Sequence, residues 1–315
     1  MVVFSIMAMA GAAFAAEPWP TRAVTIVVPY APGGAPDVVA RLLAEQLSPR
    51  LGQPVVVENH AGAGGLVGAD YAAAANPDGY TLFLGTIDTQ AILGHLHPKE
   101  KINPTTAFAP ISLLARVSDV IAASPHLAID SFKQLIDAAH KGRAFTFSTP
   151  GVGTSFHILG ELIRLRENIQ LTHVPYRVSS TGYADVMAGR VDLVISGVPP
   201  ILSLLKTGKL VPLATTGAAR VKDLSDTPTL AELGFKDLVL TNWFGLLAPV
   251  GTPASVVTML SERIKDIDAI ADYRSRMEAN RIEPTHSTPQ QFAEFIQSEY
   301  ARFGDVITRA KIVGN

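Results

Sequence analysis

Apolar and polar positions along this chain fall into a repeated pattern of a short strand followed by an amphipathic helix. A β-prone apolar run at residues 25–29 precedes apolar residues at helical spacing from Val38 to Leu51. Similar pairs of strand and helix recur along most of the remaining sequence. This alternation is typical of an α/β fold, in which helices flank a mainly parallel sheet.

The predicted elements form three groups along the chain. Residues 22 to about 95 form a βαβαβ unit, with strands at 25–29, 55–57 and 81–85 and helices at 36–51 and 64–75. The second group has strands at 144–148, 171–176, 191–196 and 210–215, and helices at 131–140, 154–166, 181–188 and 200–205. The last group has a strand near 242–249 and helices at 254–267 and 289–310.

Two segments between these groups predict how the chain is divided. The apolar periodicity is lost at residues 102–110, and a second change of pattern follows at 217–228. We therefore expect lobe I to contain residues 22–107 plus 223–315, and lobe II to contain residues 108–222. Two lobes joined by two crossings suggest a hinge, and ligand sites favour the interface between such lobes.

The amino-acid composition excludes several classes of function and of site. The chain has 315 residues, a formal net charge of −2 and no cysteine. The small net charge gives no reason to expect nucleic acid as a partner. The lack of cysteine excludes disulfides, thiolate catalysis, the common structural zinc sites and a lipoprotein anchor. We expect no cofactor and no metal.

The first residues resemble an export signal. Residues 2–14 are almost wholly apolar, and Ala13, Phe14 and Ala15 supply the small-x-small pattern of a cleavage site. The run is shorter than the ~20 residues that span a bilayer. No basic residue precedes Arg22, which is unusual for such a signal. We predict a signal peptide at 1–16 and an unanchored protein of the periplasm.

Two glycine-rich turns are the main candidates for chemistry. One spans residues 24–37 and the other spans 145–157, and each leads from an apolar strand into an amphipathic helix. A helix start carries unpaired N–H groups and the positive end of the helix dipole, so each turn is a candidate anion site. Neither contains Lys, Arg or a P-loop motif. This favours a carboxylate held in a cleft over a phosphate that is cleaved.

Short motifs spread over nearly the whole chain then carry a family resemblance. They are VPYAPGG at 28–34 with Asp37, LGQPVVVEN at 51–59, GAGG at 62–65, PDGYTL at 77–82, GVGT at 151–154 with His157, HVPY at 173–176, AGRVD at 188–192, WFGLLAP at 243–249 and GTP at 251–253. In this order they resemble the Bug family of periplasmic solute receptors, the extracytoplasmic binding subunits of tripartite tricarboxylate transporters.

The resemblance implies a two-lobed receptor of the type II, Venus-flytrap kind, which is not an enzyme and captures a small carboxylate. It implies delivery of the solute to membrane permease subunits, and we expect the receptor to be a monomer. The implied ligand-binding residues on the first turn are Tyr30, Gly33, Gly34, Ala35 and Asp37. Those on the second turn are Thr149, Gly151, Gly153, Thr154, Ser155 and His157.

Further candidates lie at other strand ends. Thr86 and Asp88 follow the third predicted strand, on the rim where ligands bind in such sheets, although a helix N-cap explains them equally well. Tyr176, Arg177 and Ser196 lie where the resemblance implies the outer end of the ligand. Arg177 either pairs with an outer carboxylate or lies on the surface.

The chain departs from the family pattern at two of these places. Residues 177–183 lack the usual glycine-rich, Pro-Ala-containing turn, and Ser196 and Gly197 stand where many members have an acidic residue. The missing acid argues against an amino-acid ligand, whose ammonium group requires a counter-charge. Dicarboxylates, aromatic carboxylates and nicotinate-like rings all remain open.

Two enzymatic alternatives are left open by the residues. The turn Gly62–Gly68 resembles a dinucleotide fingerprint and would support an NAD(P)-binding dehydrogenase, but its spacing differs and a close-packed helix entry explains it better. Ser155 with His157 suggests a periplasmic ester hydrolase, but side chains two residues apart at a helix start diverge. His95 and His97 lack a third metal ligand, and Trp243 is expected in the core.

Overall fold

The structure is a computed structural model that describes residues 19–98, 103, 105–238 and 240–313. The predicted signal peptide at 1–16 lies outside the described residues. The strands are β1 (Val24–Val28), β2 (Val55–Asn59), β3 (Thr81–Thr86), β4 (Phe108–Ala123), β5 (Phe145–Thr149), β6 (Leu171–Pro175), β7 (Leu193–Gly197), β8 (Val211–Thr215), β9 (Thr241–Pro249) and β10 (Glu283–Pro284).

The helices follow the strands in nearly the predicted alternation. They are α1 (Ala35–Leu51), α2 (Leu66–Ala73), α3 (Leu93–Leu96), α4 (Phe132–His140), α5 (Ser155–Glu167), α6 (Ser179–Met187), α7 (Val198–Lys206), α8 (Ala254–Asp268), α9 (Ala271–Ala279) and α10 (Pro289–Ala310). A π-helical turn at Asp88–Ile92 leads from β3 into α3. The long C-terminal helix begins at Pro289, where Thr288 and Gln291 form a capping box.

The strand order is β2-β1-β3-β9-β4-β7-β5-β6, with β8 and β10 also paired to β4. The strands β1, β2 and β3 are parallel, as are β5, β6 and β7. Between these two groups, β4 and β9 run antiparallel to their neighbours. The predicted α/β fold with two lobes is confirmed, but each lobe contains a mixed sheet because of these antiparallel strands.

The strand β4 belongs to both lobes. Its first part, residues 108–118, pairs with β9, while Asp119 to Ala123 pairs with β7. The change of partner therefore falls inside a continuous strand, after the 102–110 segment where periodicity is lost. Because both faces of β4 are largely buried, its apolar residues show no clear alternation, and the pattern did not predict this strand.

Three apolar clusters hold the lobes in the described part of the chain. One packs α1 and α8 against β1, β3 and β9, and includes Leu43 and Leu82. A second packs α7 against β4 and β7 and includes Ile201. The third is continuous from one lobe to the other, because it contains both Phe83 of β3 and Phe147 of β5. The carboxyl ends of the parallel strands in both lobes thus lie near one another, and the candidate site forms there.

Candidate functional site

A cavity of about 550 Å³ lies between the two lobes. Its walls include residues from both glycine-rich turns, so the two turns share a cavity. The sequence-predicted residues that line it are Tyr30, Gly33, Gly34, Ala35, Thr86, Asp88, Thr154 and Ser196. Aromatic and proline side chains such as Phe156, Phe244 and Pro199 form much of the remaining surface.

The first turn gives α1 a start that no side chain caps. Gly33 has φ of +90°, a left-handed conformation that favours glycine. Gly34 is the N-cap residue and has no side chain, and Pro36 in the first turn has no N–H. The N–H group of Ala35 therefore lacks a partner within the helix. It lies at the cavity wall, at the positive end of the helix dipole.

Asp37 fixes this turn from the inside and is not part of the cavity wall. Its Oδ2 accepts hydrogen bonds from the Gly33 N–H at 3.0 Å and from Arg41 Nε at 2.9 Å, and its Oδ1 accepts one from Asn59 at 3.0 Å. Burial acts to raise the pKa of Asp37, but these three hydrogen bonds hold it below its ordinary value. The ionised carboxylate therefore orders the uncapped start.

The hydrogen-bonding groups of the second turn pair largely with one another. Thr154 caps α5, accepting a hydrogen bond from the His157 N–H at 3.3 Å and donating one to the Gly151 carbonyl at 3.0 Å. The Gly153 N–H donates to His157 Nδ1 at 3.1 Å. These internal hydrogen bonds leave the start of α5 with fewer open donors than the start of α1.

The carboxylate of Asp88 bridges the lobes at the second turn. It follows β3, and its Oδ1 accepts a hydrogen bond from the Ser155 N–H at the start of α5, at 2.9 Å. Its Oδ2 accepts one from the Tyr30 hydroxyl at 3.2 Å, and that hydroxyl lies 3.2 Å from Thr86 Oγ1. Burial raises the pKa of Asp88, while the bonds from Ser155 and Tyr30 oppose this rise. The two helix starts are therefore not equivalent, because Asp88 accepts from the first N–H group of α5, whereas Asp37 accepts from the Gly33 N–H group, which precedes α1.

A chain of hydrogen bonds continues from Ser155 to a second buried acid. The Ser155 hydroxyl donates to Asn242 Oδ1 at 3.1 Å, and Asn242 Nδ2 donates to Asp119 Oδ1 at 2.8 Å. Asp119 is fully buried, and both Asp119 and Asn242 line the cavity. Burial raises the pKa of Asp119 well above its ordinary value; the bond from Asn242 lowers it, and the charge of Asp88 raises it further.

Comparison with known proteins identifies the family. Residues 39–312 match the tripartite tricarboxylate transporter family receptor, TctC. The chain belongs to this receptor family. Protein BugT of Bordetella pertussis is 34% identical over 98% of this chain and 96% of its own length. The resemblance to Bug-type receptors is thus confirmed.

Solved structures show the same fold with carboxylates bound. A protein of R. palustris solved with adipate has a TM-score of 0.84 and 33% identity, and covers 94% of this chain and 99% of its own. MatC from Rhodopseudomonas palustris with bound malate has a TM-score of 0.80 and 28% identity, and covers 92% of this chain and 100% of its own. The periplasmic-binding-protein fold is therefore confirmed for the receptor. Among its helices between residues 19 and 313, none combines the length and hydrophobicity of a membrane span.

The geometry also bears on the two enzymatic alternatives. A Cβ atom built on Gly68 would lie 2.8 Å from Pro29 Cα and 2.9 Å from the His60 carbonyl, so this glycine allows α2 to pack closely on β1. Ser155 donates its hydroxyl to Asn242, while His157 Nδ1 accepts from Gly153. The glycine turn thus has a packing role, and the structure gives Ser155 no histidine partner within the described residues.

Several predicted residues lie away from the large cavity. Tyr176 donates its hydroxyl to Asp185 at 2.6 Å, Arg177 is exposed, and Thr149 Oγ1 lies 2.6 Å from His173 Nε2. The others that do not line it are Asp37, Gly151, Gly153, Ser155 and His157. Gly153 instead lines a smaller cavity of about 200 Å³, next to Asp88 and His97. Direct ligand contact by these residues stays a prediction.

Sequence reasoning missed several residues of the cavity wall. Asp119 lies on the strand that the apolar pattern did not predict, and Asn242 directly precedes the WFGLLAP motif without being part of it. Tyr183 lies on α6, with its hydroxyl 2.9 Å from Ser196 Oγ. The signal that could have identified this second acid is an acid directly before the apolar run at residues 120–123.

His157 and His173 form a stacked pair behind the second turn. Their ring centroids are 4.0 Å apart. Burial lowers the pKa of both rings, and the neighbouring His157 lowers that of His173 further, to about 3. Both imidazoles are therefore neutral at neutral pH, as the acceptor role of His157 Nδ1 requires.

This pair predicts a loss of stability in mild acid. A histidine whose pKa is depressed on folding stabilises the fold above its unfolded pKa of about 6.5, and this contribution is lost as the pH falls below that value. From about pH 7 to about pH 5, His173 should lower the free energy of unfolding by about 2 kcal/mol. Urea unfolding of the wild type and His173→Gln at both pH values measures this. An equal pH dependence in the two proteins would contradict the assignment.

Proposed function

We propose that this receptor binds a small carboxylate in the inter-lobe cavity and delivers it to the membrane permease subunits of a tripartite transporter. It acts as a monomer in the periplasm, after removal of residues 1–16. The observation that carries the proposal is the uncapped start of α1 on the wall of the 550 Å³ cavity. The carboxylates bound in the R. palustris structures support the same ligand class.

The cavity binds the carboxylate with backbone donors. None of the described residues that line it is Lys, Arg or His. The N–H groups at the start of α1 and the dipole of this helix of 17 residues supply the favourable field. Because these donors are fixed by Gly33 and Asp37, little reorganisation opposes binding. The apolar side chains opposite them select the hydrocarbon part of the solute.

Thermal-shift measurements on the protein lacking residues 1–16 test this function. The set includes aliphatic mono- and dicarboxylates, hydroxy acids, amino acids and aromatic carboxylates, with the matching primary amides as controls. A solute at about 100 times its Kd should stabilise the receptor by ~2.7 kcal/mol, which raises Tm by a few degrees. Only the acids should produce this shift. Equal shifts with the amides, or none with any acid, would refute the proposal.

The same assay separates the receptor from the dehydrogenase. Nicotinamide nucleotides should give no shift, because the close packing of Gly65 on Thr89 and of Gly68 on Pro29 explains these glycines without a pyrophosphate. A nucleotide-dependent shift that is lost on substitution of Gly64 would favour the dehydrogenase instead.

A further inference from the structure

Asp119 is the polar group of the cavity that the proposed function leaves without a role. It lies where β4 passes from one lobe to the other, and its register partner on β7 is Gly197. Ser196 and Tyr183, which also line the cavity, are its neighbours on this wall. The wall opposite the start of α1 therefore has an acid that comes from the central strand.

One oxygen of this acid has no partner. Asp119 Oδ1 accepts a hydrogen bond from Asn242, but Oδ2 has no hydrogen-bond partner among the described residues. Asp88, the other acid of the cavity, differs because both of its oxygens accept hydrogen bonds. A buried carboxyl oxygen without a partner is costly, so it is typical of a group that a ligand completes.

The charges around the cavity indicate which chemical group of a ligand would pair with Asp119 Oδ2. Its walls contain two acids and, among the described residues, no cationic side chain. Burial and the charge of Asp88 favour the protonated form of Asp119, and a second carboxylate of a solute would favour that form further. A nitrogen cation would instead favour the ionised form and give the free oxygen a donor in the same contact.

We propose that Asp119 recognises a cationic nitrogen of the solute, so that the receptor prefers a carboxylate that also has an amine. The inference rests on the proposed receptor function, because the start of α1 must hold the carboxylate of the same molecule. Ser196 and Gly197 lack the acid that an amino-acid ligand requires, but the strand register places Asp119 opposite Gly197 and so supplies an acid on the same wall.

Matched pairs of acids with and without an amine test this inference. Isothermal titration compares glutamate with glutarate, 4-aminobutanoate with butanoate, and piperidine-4-carboxylate with cyclohexanecarboxylate. In at least one pair the amino acid should bind the wild type about 10- to 100-fold more tightly, the range expected for a charge-assisted hydrogen bond. In Asp119→Asn this preference should disappear, while the acid without an amine binds equally well or better.

Two controls separate recognition from folding. Asp119→Asn should keep the Tm of the free protein within a few degrees of wild type, because the amide oxygen can retain the hydrogen bond from Asn242 Nδ2. Asp268→Asn changes a buried acid away from the cavity that pairs with Arg274 and His286. It should lower Tm and leave the preference for the amine unchanged.

The outcomes distinguish this inference from the proposed function. If the acids without an amine bind as tightly as their partners in all three pairs, or if the preference survives in Asp119→Asn, the role of Asp119 is overturned and the carboxylate receptor stands. If no acid of either kind binds, the proposed function fails and this inference fails with it. The comparison of the three pairs on the wild type tests the role of Asp119 even if Asp119→Asn does not fold.

Discussion

Replacing Gly34 with valine should weaken carboxylate binding at least about 100-fold and leave the receptor folded. Two charge-assisted hydrogen bonds to a carboxylate, each worth about 1.5–3 kcal/mol, account for an effect of this size. A Cβ atom at Gly34 meets only Pro36 Cδ, at 3.6 Å, and the extended backbone there suits a β-branched residue. The added methyl groups would occupy the space in front of the N–H groups.

Gly151→Val is the matched control for this substitution. Gly151 lies in the second glycine-rich turn, where a Cβ atom meets nothing within 4 Å, and it does not line the large cavity. Calorimetric Kd values should therefore be near wild type in Gly151→Val and greatly raised in Gly34→Val, with similar circular dichroism spectra. A comparable loss in both variants would show that the second turn holds the carboxylate as strongly as the first.

Trp243→Ala should give the largest loss of stability, about 3–5 kcal/mol, as is typical of a buried aromatic residue replaced by alanine. Trp243 is fully buried, and its ring contacts Phe292 and Phe295 edge-on, with centroids 5.7 and 5.4 Å away. Its indole N–H also donates to the buried Glu299 at 3.3 Å. The substitution therefore opens a void between β9 and α10 and removes one donor from Glu299, which keeps Arg302 as a partner at 3.4 Å.

Thermal unfolding measures this loss, which should lower Tm by roughly 6–15 °C. Trp243→Phe retains a ring in the same place and should lose less than half as much. Because Trp243 does not line the cavity, the Kd for a carboxylate should be unchanged in either variant below its melting transition. A selective loss of binding, with Tm near wild type, would instead make Trp243 part of the site.

The parallel parts of the fold were predictable from the sequence because their signals are local. The first strand, turn and helix follow one another directly: β1, the turn at Gly33 and α1. Each is predicted by its own residues and their immediate neighbours. The C-terminal helix was also predicted with its observed bounds, since Pro289 fixes its start and an apolar stripe continues to its end. The alternation of such units was enough to give the two-lobed α/β class.

The central strand was not predictable in the same way. β4 is buried on both faces and pairs with strands from distant parts of the chain, so neither alternation nor a turn signal marks it. The prediction consequently missed Asp119, whose position matters only because β7 and β9 bring Gly197 and Asn242 beside it.

The second turn shows the other limit of local reasoning. Its residues predict an anion site at the start of α5, but the structure places the carboxylate of Asp88 there, from a different lobe. The sequence also placed Asp88 on the rim of the cleft, but nothing in the chain indicates that it pairs with Ser155. That pairing depends on how the lobes pack, through the apolar cluster that contains Phe83 and Phe147.

A crystal structure of the receptor with a carboxylate selected in the thermal-shift measurements tests the central claim most directly. The account predicts a carboxylate oxygen within about 3 Å of the Ala35 or Gly34 N–H group, at the start of α1. It also predicts that the rest of the solute extends toward Asp119 across the cavity. A carboxylate bound at Arg177, or anywhere with the start of α1 left open, would contradict it.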